Sequence, residues 1–353
     1  MRNSVLLFCI LLCSIKSISQ QAGQNIYSFL SLPIPARTAS LGGAVISIKD
    51  EDLNLGLQNP ALLNLGMKNQ LSFSHVNFIS DINFLNVAYG NSIQNFGNYA
   101  LSLQKVGYGQ FLETNEYGEI TGSFRADDYS FNMSICRDLD SNFSYGFTLK
   151  SIYSKYYNYN SFGNALDAGI TYHNKKKQFT ASAVIRNFGY QWKTYTANNR
   201  EKLPQEIMVS VSKKVAKAPF RLLFYMGNLQ QWDLTYSDNL TVQSSFSNAD
   251  TSAAKNESRF RKIGDNFLRH VIIGNEFILT KNFNLRIAFD FRKQKEFKLI
   301  DKSTVAGLSF GFGIKISKFH FSYGFTKYHA AGNANHFTVT TNLSSFQKKN
   351  KSQ

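Results

Sequence analysis

The chain has 353 residues, 43% of them hydrophobic and 14% aromatic, with 39 basic against 23 acidic side chains and a net charge of +16. The length would admit two soluble domains, but only five prolines offer little material for a linker. The positive charge alone would admit nucleic acid as a partner. The amino terminus removes that reading, because an exported chain meets acidic lipid headgroups or surface polysaccharide instead.

The first segment, "MRNSVLLFCILLCSIKSIS", carries Arg2, an apolar run from Val5 to Leu12, and small residues Ser17 and Ser19 at cleavage spacing. It reads as a secretory signal peptide over residues 1–19. The apolar run falls well short of the roughly 18 residues a membrane anchor needs. Cys9 and Cys13 belong to that segment, so the exported chain keeps only Cys136 and has no internal disulfide to form. Without a surrounding His and Asn signature, Cys136 reads as a packing residue.

Residues 20–66 contain "YSFLSLPIPARTASLGGAVISIKDEDLNLGLQNPALL", too irregular for a strand pair and too apolar for a solvated tail. This segment is expected to enter or cap whatever follows, as a periplasmic plug. Asn59 and Pro60 read as the cap and first position of a short helical turn over Ala61 to Leu63. Gly42 and Gly43, just after Arg37, permit close backbone approach or positive φ.

From residue 67 to 345 the sequence alternates almost everywhere between large apolar and small or polar residues. No apolar run here is long enough for a membrane helix, so a membrane role must use strands. Fourteen segments of about ten residues, the length that crosses a bilayer when tilted, read as strands. They include 97–106, 127–137, 177–187, 267–278, 283–292 and 305–316. The connectors "DLDS", "NKK", "AKA" and "TKNF" are tight, whereas "VGYGQFLETNEYGEITGSFRA", "GYQWKTYTANNREKLP" and the 228–266 stretch are long. Short turns on one side and long loops on the other are the pattern of an outer-membrane β-barrel, here an all-β barrel of about 14 antiparallel strands. The basic tail over residues 346–353 lies beyond it.

Phase assigns the faces. In "LSFGFGIKIS", Phe310 and Phe312 fall on one side, and Gly311, Gly313 and Lys315 on the other. Phe131, Phe147, Phe289 and Phe321 share the first phase and are expected to face lipid. Arg286, Asp290 and Arg292 share the second and are expected to face a polar lumen. The physical reason is cost, since a charge on the lipid face at the bilayer midplane destabilises a barrel by about 2–4 kcal/mol.

With "YSFLSLP", "ARTASLGG", "NPALL", "YGQF", "NEYGEITGSF", "GNLQQWDLTY", "LRHVIIG", "SFGFGIKISKFHFSYG" and "KYHAAG", the chain resembles the PorQ family of the type IX secretion system, from about Asn25 to Leu343. "ARTASLGG" and "NPALL" also resemble the wider group of fatty-acid-transporter-like barrels; Arg269 and His270 in "LRHVIIG" and Tyr328 and His329 in "KYHAAG" narrow the likeness. The resemblance implies a noncatalytic barrel that holds the surface protein PorZ at the outer membrane, in an attachment complex with PorU and PorV. The other reading is a fatty-acid-transporter-like channel for hydrophobic small molecules.

Six histidines are present, and none pairs at zinc-ligand spacing on one strand. His329 and His336 are the nearest to a pair, across the turn between the last two strands. No nucleophile elbow or phosphate loop occurs. Neither enzyme activity, nor a cofactor or metal, nor nucleic acid is expected.

Overall fold

The structure is a computed structural model that describes residues 25–197, 199–234, 259–296, 306–329 and 332–346. The expected signal peptide, most of the 228–266 stretch and the basic tail after Phe346 lie outside the described residues.

Fourteen antiparallel strands close into one barrel, each paired with its sequence neighbours and the last with the first. They are β1 (Gln70–Asn77), β2 (Asn83–Ile93), β3 (Gly97–Thr114), β4 (Ile120–Asp138), β5 (Phe143–Tyr156), β6 (Tyr159–Asn174), β7 (Phe179–Lys193), β8 (Glu206–Lys214), β9 (Phe220–Met226), β10 (Val271–Ile278), β11 (Phe283–Asp290), β12 (Leu308–Ile316), β13 (Phe319–His329) and β14 (Gly332–Asn342). Closure leaves no edge along the body of the sheet, which an alternating aromatic sequence would otherwise expose to aggregation. The end carrying the short turns is the periplasmic end.

The outward phase forms an apolar belt. Phe131, Phe147, Phe310, Phe312 and Phe321 are 38–45% exposed there, and Phe289 is half-buried beside Phe291. The inward phase is small or polar, as in Ser130, Ser134, Ser309, Ser322 and Thr338, all buried.

The lumen behind them is filled by the segment expected to enter or cap it. Residues 25–69 thread it from end to end, with short helices α1 (Ala36–Ser40) and α2 (Leu53–Gly56) and three turns of 3-10 helix. Asn25 bridges Lys202 at the outer end, and the carbonyl of Asn69 accepts from the Leu343 amide at the periplasmic end. Apolar clusters lie along this path. Ile26, Phe29 and Ile34 meet Val76, Val106 and Ile152; Ala44 and Ile46 meet Val184, Met208 and Ile272; Leu53, Leu63 and Met67 meet Ala88, Ala100 and Cys136.

Several strands depart from the bounds the alternation suggests. β3 and β4 continue through most of the stretch expected as a loop, because register shifts near Gly107 and Glu113 interrupt the alternation without ending the ladder. β7 runs on to Lys193 past a bulge at Asn187, whose φ is 56° and whose amide donates to Asp167 Oδ1 at 2.8 Å. Two helices take over strand ends that the alternation suggests: α3 (Arg259–Arg269) covers the start of the expected 267–278 strand, and α4 (Phe291–Glu296) covers the end of the expected 283–292 strand. Asp290 causes the second change, accepting from the amides of Arg292 and Lys293 at 3.0 and 3.1 Å as the cap of α4.

Candidate functional site: filled lumen and raised rim

The plug is seated by wall residues small enough to let its backbone approach. A Cβ built on Gly324 would lie 2.4 Å from the Ala36 carbonyl oxygen, and one on Gly311 would lie 2.7 Å from Ser40 Cβ. Strand glycine of this kind marks close approach of another backbone, and here α1 rests on both positions. At the end of α1 the chain turns through Gly42 and Gly43, with φ of 95° and 103°. Asn59 accepts from the Ala61 amide at 3.0 Å, donates to the Ile46 carbonyl at 2.8 Å and to Thr171 at 3.0 Å, and is followed by Pro60 at the first position of its turn.

Toward the periplasm the plug is locked electrostatically. Glu276 on β10 takes Arg37 of α1 at 3.0 and 2.9 Å, Arg286 of β11 at 3.1 Å and Arg221 of β9 at 2.8 Å. Arg37 also pairs with Asp50 at 2.7 Å and Asp52 at 3.2 Å. This cluster forms the floor of a vestibule of about 420 Å3 that opens at the periplasmic end, with Lys315 on its wall.

At the outer end, the Asp128 carboxylate accepts from Tyr108 at 2.6 Å, Tyr156 at 2.8 Å and Ser154, and Tyr27 meets Ser161 at 2.5 Å. Tyr108 therefore closes the lumen and does not face the surroundings. Arg186 on β7 bonds Gln58 of the plug, and Lys150 pairs with Asp167 at 2.8 Å.

Above this closure one side of the barrel stands taller than the other. The ladder between β2 and β3 stops at Asn83 and Gly107, and that between β4 and β5 at Ala126 and Tyr156. The β3–β4 hairpin therefore projects beyond the ladders on either side, braced by Tyr157 against Phe124 and Glu113. Its tip exposes Leu112, Tyr117 and Ile120, and Phe111 stacks on Phe124 at 5.3 Å. Likewise β7 keeps its β6 partner up to Lys193, but its pairing with β8 ends at Arg186 and Glu206. Phe188 and Trp192 are exposed there, and Arg200 lies over the Tyr190 ring at 4.3 Å.

The remaining sequence candidates separate. Arg269 ends α3 and pairs with Asp265 at 2.8 Å, while Lys295 of α4 reaches the other oxygen of Asp265 at 2.7 Å. Burial alone would raise the Asp265 carboxyl, but the hydrogen bonds from Lys295 and Arg269 hold it below the usual carboxylate range. His270 is buried, with Nδ1 2.7 Å from the Gly227 carbonyl oxygen, Nε2 3.2 Å from that of Trp232, and its ring stacked on Trp232. Arg292 is not in the lumen; it lies on α4, paired with Glu296 at 2.7 Å. Tyr328 and His329 end β13, where the register shifts. In the β13–β14 ladder His329 opposes Gly332 while His336 opposes Gly324, so these two positions are not register partners. His336 instead turns toward the plug, 3.2 Å from the Ile34 carbonyl oxygen.

Glu276 and Asp265 were not among the sequence candidates. A signal for Glu276 was present, since a carboxylate on the inward phase of the strand "VIIGNEFI" demands partners.

No protein-family model matches the sequence, and no curated protein matches it. Solved structures do. The Pseudomonas putida toluene transporter TodX superposes with a TM-score of 0.53 and 10% identity, over 88% of this chain and 96% of that one. The Ralstonia pickettii toluene transporter TbuX gives 0.51 and 10%, over 88% and 98%. A Pseudomonas aeruginosa FadL homologue gives 0.47 and 7%, over 88% and 99%. At this identity the likeness is one of fold: the chain is a fourteen-stranded outer-membrane β-barrel with its amino-terminal segment inside.

Proposed function

We propose that this barrel is a noncatalytic outer-membrane anchor that holds a surface protein, in the manner of the PorQ-like barrels of the type IX secretion system, with a PorZ-like partner and PorU and PorV as further members of the assembly. The observation that carries the reading is the raised hairpin. A β3–β4 tip that continues past its neighbours and exposes Leu112, Tyr117 and Ile120 is an aromatic and aliphatic surface of the kind interfaces bury. A filled lumen fits the same role, because an anchor needs no path. The secretion assignment itself rests on the sequence resemblance.

The second reading, a channel for hydrophobic small molecules, is favoured by the shared fold of the two toluene transporters. Against it, the vestibule of the described residues is lined by arginine, lysine and carboxylate groups where an apolar passage would be needed.

One strain set separates the two. Replacing residues 110–122 by a tight turn should leave heat-modifiable gel mobility intact and release the surface partner into the medium. Retention of every surface protein by that strain, together with loss of uptake of a hydrophobic compound in the full deletion, would establish the channel reading instead.

A further inference from the structure

We propose that the periplasmic vestibule is a docking site for an acidic peptide segment of a periplasmic protein. The proposal does not depend on the role of the outer rim.

The charges facing the vestibule fall into two tiers. On its floor, Arg37, Arg221 and Arg286 are matched by Glu276, Asp50 and Asp52, within the ion-pair distances given above. At its mouth stand Lys214, Lys281, Lys315 and Lys318, one or two from each of three consecutive periplasmic hairpins. Among the described residues none of the four forms an ion pair; Lys318 lies over the Phe346 ring at 4.5 Å. The one lining carboxylate outside the floor cluster, Glu51, folds its stem against Gly66. The floor is neutralised and the mouth is not. Basic charge continues beyond the mouth in the exposed Lys175, Lys176 and Lys177 of the β6–β7 turn, and Lys213 and Lys217 beside Lys214.

A group of strongly hydrated ammonium groups along one side of the vestibule mouth raises the local concentration of a polyanion and steers it inward. Two features favour a peptide over a lipid headgroup. Lys315 shares the inward phase of Gly311 and Gly313, so the site opens into the lumen end and not onto the lipid belt. The lining also presents amide and hydroxyl groups, Gln70, Asn284, Thr280, Thr340 and Asn342, suited to main-chain donors and acceptors. A volume of about 420 Å3 is within the range of sites that hold a small ligand.

The test uses the full chain in nanodiscs of zwitterionic phospholipid, with a fluorescent hexaglutamate peptide followed by anisotropy, inorganic phosphate as competitor, and discs containing anionic phospholipid as a separate arm. Saturable peptide binding is expected, weakened about tenfold or more by raised salt, as screening of a charge-driven contact requires, and by Lys214→Gln, Lys281→Gln, Lys315→Gln and Lys318→Gln combined. Lys175→Gln, Lys176→Gln and Lys177→Gln combined should weaken it far less. Heat-modifiable mobility monitors folding of each variant, and Lys315→Gln alone should already reduce affinity if the fourfold variant fails to insert. The proposal is overturned if both lysine sets matter equally, if phosphate displaces the peptide at matched concentration, or if a response appears only with anionic lipid.

Discussion

Glu276 is a single carboxylate shared by three guanidinium groups from three elements, and almost nothing of it reaches solvent. Removing its charge leaves Arg37, Arg221 and Arg286 facing one another with only Asp50 and Asp52 nearby, and breaking a buried ionic cluster in this way costs about 3–5 kcal/mol. Glu276→Gln should therefore lower the unfolding free energy of the inserted barrel, read from urea titration, by about 3–5 kcal/mol, while Glu276→Asp should lose less; equal midpoints for wild type and Glu276→Gln would refute the lock. At this scale the sequence was partly legible. Arg286 and Lys315 show their side of the wall by phase alone. Asp290 and Arg292 share that phase, yet one caps a helix and the other lies on it, because periodicity does not distinguish the last residue of a strand from the cap of a helix. Ser309, on the same inward phase, is fully buried beside Thr326, whose hydroxyl donates to the Ala39 carbonyl of the plug, so a larger side chain there would meet the plug.

At the scale of elements, every strand was readable and most of the errors lie at their ends. The alternation is lost at Asn187 because a bulge spends one residue without crossing the sheet, so that Arg186 and Asn187 both turn inward and Phe188 resumes the outward phase. The same physics hid the tall hairpin. The last three residues of α3 (Arg259–Arg269) were read as the beginning of β10, and the pairing of α3 with α4 gives it a pH-dependent hold. Asp265 has a folded carboxyl pKa below its unfolded value of about 3.9, so its contribution is present above that value and is lost as pH falls through the folded one. Hydrogen exchange in 263–269 should thus accelerate on acidification toward that range, and Asp265→Asn should be fast at neutral pH with no further acid response in this segment. A segment equally protected in both proteins at neutral pH would show that the bridge to Arg269 and Lys295 does not hold α3.

For the whole molecule, the wall and the plug are one core divided between two kinds of structure. Without residues 25–64 the inward serines, threonines and asparagines would line an open bore. That deletion should still yield an inserted barrel, since the outward belt and the strand pairing are untouched, and it should conduct ions in planar bilayers where the intact chain is closed. Equal, closed recordings from both would mean that the wall collapses or closes by itself. The existence of an interior segment was legible in its apolar irregularity. Its path was not, because contacts such as Ala36 to Thr338 join residues at opposite ends of the sequence and leave only indirect traces, chiefly the inward glycines.

The contacts of α1 with Gly311, Gly324 and Thr338 also tie the plug to the strand that completes the barrel. The segment that fills the bore touches the inward glycines and is enclosed by the ring along its length. One seam of that ring joins β1, which continues directly from the plug, to β14, the last strand of the barrel in chain order. That final strand carries Thr338, bonded to the Ala36 amide, and His336, beside the Ile34 carbonyl. The strand that completes the barrel is thereby also a wall of the plug's seat, so one element serves both the ring and its filling.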